Sequence, residues 1–156
     1  PKMRDSNSGR VLYISSVLGF VAMPLRGSYV ASKFAIEGLV STLRLELSNT
    51  NIKLSVIQPG PIESKFRQNA YKAFKENVDA SNSHFINQYQ SMIKRLKSGK
   101  NVQFTLPPEA VLKCTIHALE SNSPKNYYRV TFPTKLFAFL GNILPSKLMD
   151  NILNKS

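Results

Sequence analysis

Apolar positions along the chain predict a small set of elements in a definite order. Arg10-Val11-Leu12-Tyr13-Ile14-Ser15-Ser16 is a short β-rich run without alternation, as expected of a strand covered on both faces in a parallel sheet. It ends in two hydroxyls. A loop with Gly19, Pro24 and Gly27 follows. Val30, Phe34, Leu39, Leu43 and Leu47 then recur near the helical period, which predicts a helix from Tyr29 to Ser48 capped by Ser28. Asn49 to Asn51 break it. Ile52, Leu54, Val56 and Ile57 predict a second buried strand that stops at Pro59-Gly60-Pro61.

Strand, long helix and strand make a βαβ unit with the two strands parallel. In open parallel sheets, ligands bind beyond the carboxyl ends of the strands. Ser15-Ser16, the start of the Tyr29 helix and Pro59-Gly60-Pro61 are all expected at that edge.

Beyond this unit the pattern weakens. Glu63 to Leu106 carries Phe66, Tyr71, Phe74, Phe85, Tyr89 and Met92 among many polar residues and reads as a mobile insertion with short helices. Pro107-Pro108-Glu109 opens an amphipathic helix to Glu120, and Tyr127 to Phe132 reads as a last strand ended by Pro133. Thr134 to Leu153 reads as two apolar helices interrupted at Pro145. The chain is thus a single α/β domain with three parts: the βαβ unit of residues 1–62, the insertion of 63–106, and the closing helix, strand and apolar helices of 107–156.

Composition narrows the classes. With 156 residues, 42% hydrophobic and 19% charged, the chain is globular rather than disordered. The single cysteine, Cys114, excludes internal disulfides and fits a reducing, cytoplasmic location. Net charge is +12, spread as seven basic against three acidic residues in 1–62, eight against three in 63–106 and six against three in 107–156. That spread argues for a diffusely basic surface, not a nucleic-acid patch. Cys114 and His117 lie three apart, yet His84 is the only other histidine, and a zinc site normally needs three or four assembled ligands; no metal is expected. No stretch approaches the ~20 apolar residues of a membrane span. The polar opening from Pro1 to Arg10 lacks a signal or transit pattern and reads as the interior of a longer protein.

The candidate chemistry lies on the long helix. Tyr29 and Lys33 stand four apart and share a face, so the ammonium can approach the phenol. Tyr71 and Lys75 repeat that spacing, so spacing alone selects nothing. Context separates them: Ser16, at a strand end, lies thirteen residues before Tyr29, whereas Gln58 holds that position before Tyr71. Requiring the serine lowers the chance expectation to about 0.06 occurrences in a chain of this composition.

With these residues in place the chain resembles the short-chain dehydrogenase/reductase family. The matching text is Gly9-Arg10-Val11-Leu12-Tyr13-Ile14-Ser15-Ser16, then Ser28-Tyr29-Val30-Ala31-Ser32-Lys33-Phe34-Ala35, then Val56-Ile57-Gln58-Pro59-Gly60-Pro61-Ile62. Ala31 to Gly38 is similar to the aldehyde-, retinol- and 17β-hydroxysteroid-type members. The resemblance implies a partial Rossmann-like, doubly wound parallel sheet and an oxidoreductase interconverting a carbonyl and an alcohol with NADP or NAD, NADP being slightly favoured. It implies Tyr29 as the acid that protonates the developing alkoxide, assisted by positive charge from Lys33 and the nicotinamide, which favours phenolate. Ser16 would hydrogen-bond the carbonyl oxygen, and Lys33 would also hold the nicotinamide ribose. Tyr29, Lys33, Pro59, Gly60, Ile62 and Ser64 would form the cofactor site, with Ser64 standing where threonine is frequent.

The family's glycine-rich turn, ribose selector and catalytic asparagine have no counterpart in these residues. The resemblance therefore implies a carboxyl-terminal portion, without the amino-terminal cofactor-binding half and inactive alone. The expected substrate is a hydrophobic aldehyde, retinoid or steroid-like compound, with Phe66, Phe74, Phe85 and Tyr89 closing an apolar lid or packing onto the sheet. The competing reading is a peripheral membrane-binding module built on Phe137, Phe139 and Leu140 beside Lys135 and Lys147. Membrane contact and self-association stay open as additional partners, and a nucleic-acid partner is not expected.

Overall fold

In the computed structural model, which describes residues 1–98 and 102–154, three parallel strands form the centre. They are β1 (Gly9–Ile14), β2 (Ile52–Gln58) and β3 (Tyr127–Arg129), in the spatial order β1-β2-β3. Gly9 pairs with Ile52 and Ile14 with Ile57, while Val56 pairs with Tyr127 and Gln58 with Arg129. All three strands therefore end at one edge.

Helices cover both faces. A short α1 (Lys2–Asp5) precedes β1, and α2 (Gly27–Glu46) crosses between β1 and β2. On the α2 face Val40 packs with Ile52, Leu54 and Val56, joined by Val11, Tyr13, Ile36, Leu43 and Leu47. On the other face α5 (Glu109–Glu120) sets Ala118, Val111 and Cys114 against Leu12, Ile57, Tyr128 and Val130. Val56 and Ile57, adjacent in sequence, are both fully buried, each in a different layer. The missing alternation thus has its physical cause: a central strand has no wet face. Each such side chain contributes about 1.5–3 kcal/mol by leaving water.

The 63–106 stretch contains α3 (Phe66–Asn77) and α4 (Ile86–Lys97), joined by contact of Phe74 with Tyr89, ring centroids 5.5 Å apart. The chain closes with α6 (Phe132–Ile143) and α7 (Ser146–Leu153), separated at Pro145 as the sequence predicts. No helix among the described residues is long and apolar enough to cross a membrane.

Boundaries differ from expectation in instructive ways. The Arg26 carbonyl accepts from the Val30 N–H at 2.8 Å, so α2 starts before Ser28, which lies inside the first turn and makes no capping bond. β1 ends at Ile14, leaving both serines beyond the strand. The last strand stops at Arg129, because Phe132 already begins α6. Pro133 opens that helix rather than ending a strand, its missing N–H being harmless in a first turn.

Candidate active site

The hydrogen-bond ladder between β1 and β2 continues past the strand ends. The Ser15 N–H donates to the Ile57 carbonyl at 2.8 Å and the Val17 N–H to the Pro59 carbonyl at 2.8 Å. Ser16 lies between these two bonds. Its Oγ accepts the Leu18 N–H at 3.1 Å and opens a 3-10 turn over Val17–Gly19. The hydroxyl proton is left to donate elsewhere.

Tyr29 and Lys33 reach the same edge from the first turns of α2. The Lys33 Nζ donates to the Ile14 carbonyl at 3.0 Å, so the ammonium is anchored to the end of β1. It lies 5.7 Å from the centroid of the Tyr29 ring. An ammonium has three N–H groups, and this anchor uses one. The half-buried Tyr29 ring meets Phe66 edge-on, centroids 5.6 Å apart. Leu25, with φ of 60°, makes the left-handed bend that delivers the chain to α2.

The segment after β2 completes the edge. A β-bridge joins Ile62 to Leu106, where the Leu106 N–H donates to the Pro61 carbonyl at 3.1 Å and the Glu63 N–H to the Leu106 carbonyl at 3.0 Å. Ser64 accepts the Phe66 N–H at 3.3 Å, leading into α3 and hence to the ring on Tyr29. Gly60 is clamped against α6: a Cβ there would lie 2.1 Å from Thr131 Oγ1 and 2.7 Å from Thr134 Oγ1. Only glycine fits that approach.

Seven sequence-derived candidates, Ser16, Tyr29, Lys33, Pro59, Gly60, Ile62 and Ser64, thus lie around the carboxyl ends of β1 and β2. The alternative tyrosine does not: Tyr71 faces the Lys97 ammonium of α4 at 5.3 Å. Residues 1–75 match the family model described as short chain dehydrogenase. The uncharacterized oxidoreductase YbbO of Escherichia coli K12 is 39% identical over 153 residues, covering 98% of this chain and 51% of that protein. The chain belongs to the short-chain dehydrogenase/reductase family.

Two further matches agree with this. Mouse 17-beta-hydroxysteroid dehydrogenase type 6 is 29% identical over 157 residues, covering 93% of this chain and 47% of that protein. A short-chain dehydrogenase from Burkholderia cenocepacia J2315, solved in complex with NADP, shares the fold with a TM-score of 0.62 at 19% identity. That alignment covers 96% of this chain and 50% of the solved one. The chain spans about half the length of these relatives, and its three-stranded parallel sheet with helices on both faces is a partial Rossmann-like arrangement.

Several residues of this short-chain dehydrogenase edge have no motif to announce them. Thr131 and Thr134 are fully buried beneath Gly60, with their hydroxyls 2.9 Å apart. Their spacing, three apart at a helix start, was the available signal. Phe66 lies on Tyr29, whereas Phe74 and Tyr89 pack on each other within the α3 and α4 pair. Phe104 and Phe132, both exposed, pack in a tilted arrangement with ring centroids 5.1 Å apart. Burial, then Arg95 and Arg67, hold the Arg26 guanidinium below the usual arginine range, while Tyr29 acts in the opposite direction. The Cys114 and His117 pair is accounted for by packing: Cys114 joins the core on the α5 face and His117 Nδ1 meets the Tyr128 hydroxyl at 2.8 Å.

Proposed function

We propose that this chain is the catalytic portion of a longer NAD(P)-dependent oxidoreductase that interconverts a carbonyl and an alcohol, and that it does not turn over substrate alone. The observation that carries the reading is the anchoring of Lys33 to the Ile14 carbonyl beside the Tyr29 ring, at the edge where Ser16 is registered to Pro59. The fit to a nicotinamide nucleoside rests on donors with spare capacity: two N–H groups on Lys33 for ribose hydroxyls and the Ser16 proton for a substrate oxygen. The cofactor, when bound, supplies or accepts the hydride. Tyr29 gives its phenolic proton to the carbonyl oxygen as negative charge develops there, and takes it back in the oxidising direction. Lys33 and the Ser16 hydroxyl stabilise that charge from fixed positions. Pro59, Gly60 and Ile62, held by the bridge to Leu106, form the wall against which the nicotinamide is oriented, and Ser64 continues it.

A hydrophobic carbonyl compound is the substrate class this edge supports. Phe66, edge-on to Tyr29, offers an apolar ring instead of a hydrogen-bonding partner. The name of the mouse relative, a 17-beta-hydroxysteroid dehydrogenase, favours a bulky lipophilic member of that class. NADP is preferred over NAD on the strength of the family resemblance.

The test uses the full-length protein with an aliphatic or aromatic aldehyde, following loss of NADPH or NADH absorbance. Tyr29→Phe is expected to lower turnover by about 10²–10⁴-fold with an unchanged melting temperature. Tyr71→Phe is expected to leave turnover intact, and equal losses in both variants would refute the assignment.

A further inference from the structure

A polar cluster to which the sequence reading gave no role lies directly below this edge. Ser15, just past β1, and Gln58, the last residue of β2, are each 3% exposed. Gln58 Nε2 donates to Glu37 Oε1 at 3.0 Å, which ties β2 to α2. Glu37 lies one helical turn after Lys33 and two after Tyr29, so all three share a face of α2. The same carboxylate reaches the 3-10 turn that follows Ser16: a Cβ on the buried Gly19 would lie 2.9 Å from Glu37 Oε1 and 2.4 Å from Ser15 Oγ. Glycine is therefore required for that turn to seat on the cluster. Ser15 Oγ and Gln58 Oε1 have no partner, so the Glu37 to Gln58 bond is the one side-chain tie that the cluster makes among the described residues. Burying polar groups in this incomplete way is unfavourable by itself, and such groups are retained where they fix geometry.

We infer that Glu37 and Gln58 are positioning residues for Ser16, holding the 3-10 turn that aims its hydroxyl. This rests on the reading of Ser16 as the group that binds the carbonyl oxygen. The path runs from Gln58 to the Glu37 carboxylate, to Gly19 seated against it, and through the Val17–Gly19 turn to the Ser16 Oγ that accepts the Leu18 N–H. Without the carboxylate, Gly19 loses its seat and the turn relaxes. The hydroxyl then leaves its place relative to Tyr29, while Lys33 keeps its own anchor on Ile14.

The experiment compares Glu37→Leu, Glu37→Gln, Gln58→Met and Ser16→Ala in the full-length protein, with two readouts. The first is hydrogen exchange of the Leu18 amide by NMR, which needs no turnover; the second is steady-state kinetics. Glu37→Leu and Gln58→Met are expected to speed Leu18 exchange about tenfold. They are also expected to lower kcat by about 10²-fold with cofactor KM unchanged, a misplacement effect. Glu37→Gln keeps an oxygen acceptor for Gln58 and is expected to restore both. Unchanged Leu18 exchange in Glu37→Leu and Gln58→Met overturns the inference whatever the activity. Faster exchange with undiminished kcat overturns it too, provided Ser16→Ala is impaired. If Ser16→Ala keeps full turnover, the reading of Ser16 fails, and the amide exchange still shows separately whether Glu37 holds the turn.

Discussion

At the residue scale, the glycines of this edge are fixed by what they touch. Gly60 has no room for a methyl group because two buried threonine hydroxyls occupy the space. Gly60→Ala is expected to destabilise the protein by about 1–3 kcal/mol, as other forced insertions into packed sites do. Adding Thr131→Ala, which removes the nearest obstructing oxygen, is expected to recover part of that loss. Urea unfolding of the single and double variants measures the coupling, and strict additivity would show that the two side chains do not collide. The sequence identified Gly60 by its place after Pro59, but it did not reveal Thr131. Threonines at a helix start look alike whether they face water or a glycine more than seventy residues away.

At the element scale, β3 is short and depends on side-chain ties to α2. The Tyr127 hydroxyl is bonded by Arg44 and lies 3.3 Å from the Ser41 Oγ, while the Arg44 guanidinium stacks 4.6 Å from the Tyr127 ring centroid. Tyr127→Phe keeps the stacking and removes the hydroxyl, leaving the half-buried guanidinium short of an acceptor. A loss of about 1–3 kcal/mol is expected in chemical denaturation, the range for a bond made to a charged donor. A change within experimental error would mean that water replaces the phenol without penalty. The order and type of the main elements were legible because β2 and α2 carry long, uniform apolar patterns. Their ends were not. The start of α2 is set by the Arg26 carbonyl, a backbone choice that Ser28 obscures, and the stop of β3 is set by α6 beginning at Phe132.

At the scale of the whole molecule, stability is concentrated at the strand shared by both layers. Ile57→Ala, at a fully buried position on the α5 face, is expected to cost about 2–5 kcal/mol through lost contact and a residual cavity. Leu112→Ala, on the half-exposed outer side of α5, is expected to stay within about 0.5 kcal/mol. Thermal and urea unfolding of the two variants would compare them directly, and equal losses would mean that the outer side of α5 is as tightly covered as the sheet. The grouping of Ser16, Tyr29, Lys33 and Pro59-Gly60 at one sheet edge was legible because they are local motifs on well-patterned elements. Glu37 and Gln58 were not, since a glutamate on a helix and a glutamine at a strand end are ordinary solvated residues until the crossover brings them within 3.0 Å. One consequence follows from the main-chain bonds that flank Ser16. The peptide N–H groups of Ser15 and Val17 hold the Ser16 backbone in register with Pro59 whatever side chains vary around it, while the aim of its hydroxyl depends on the turn at Gly19. A sheet edge stitched through its backbone in this way can exchange the rings around it without losing the register of Ser16 to Pro59.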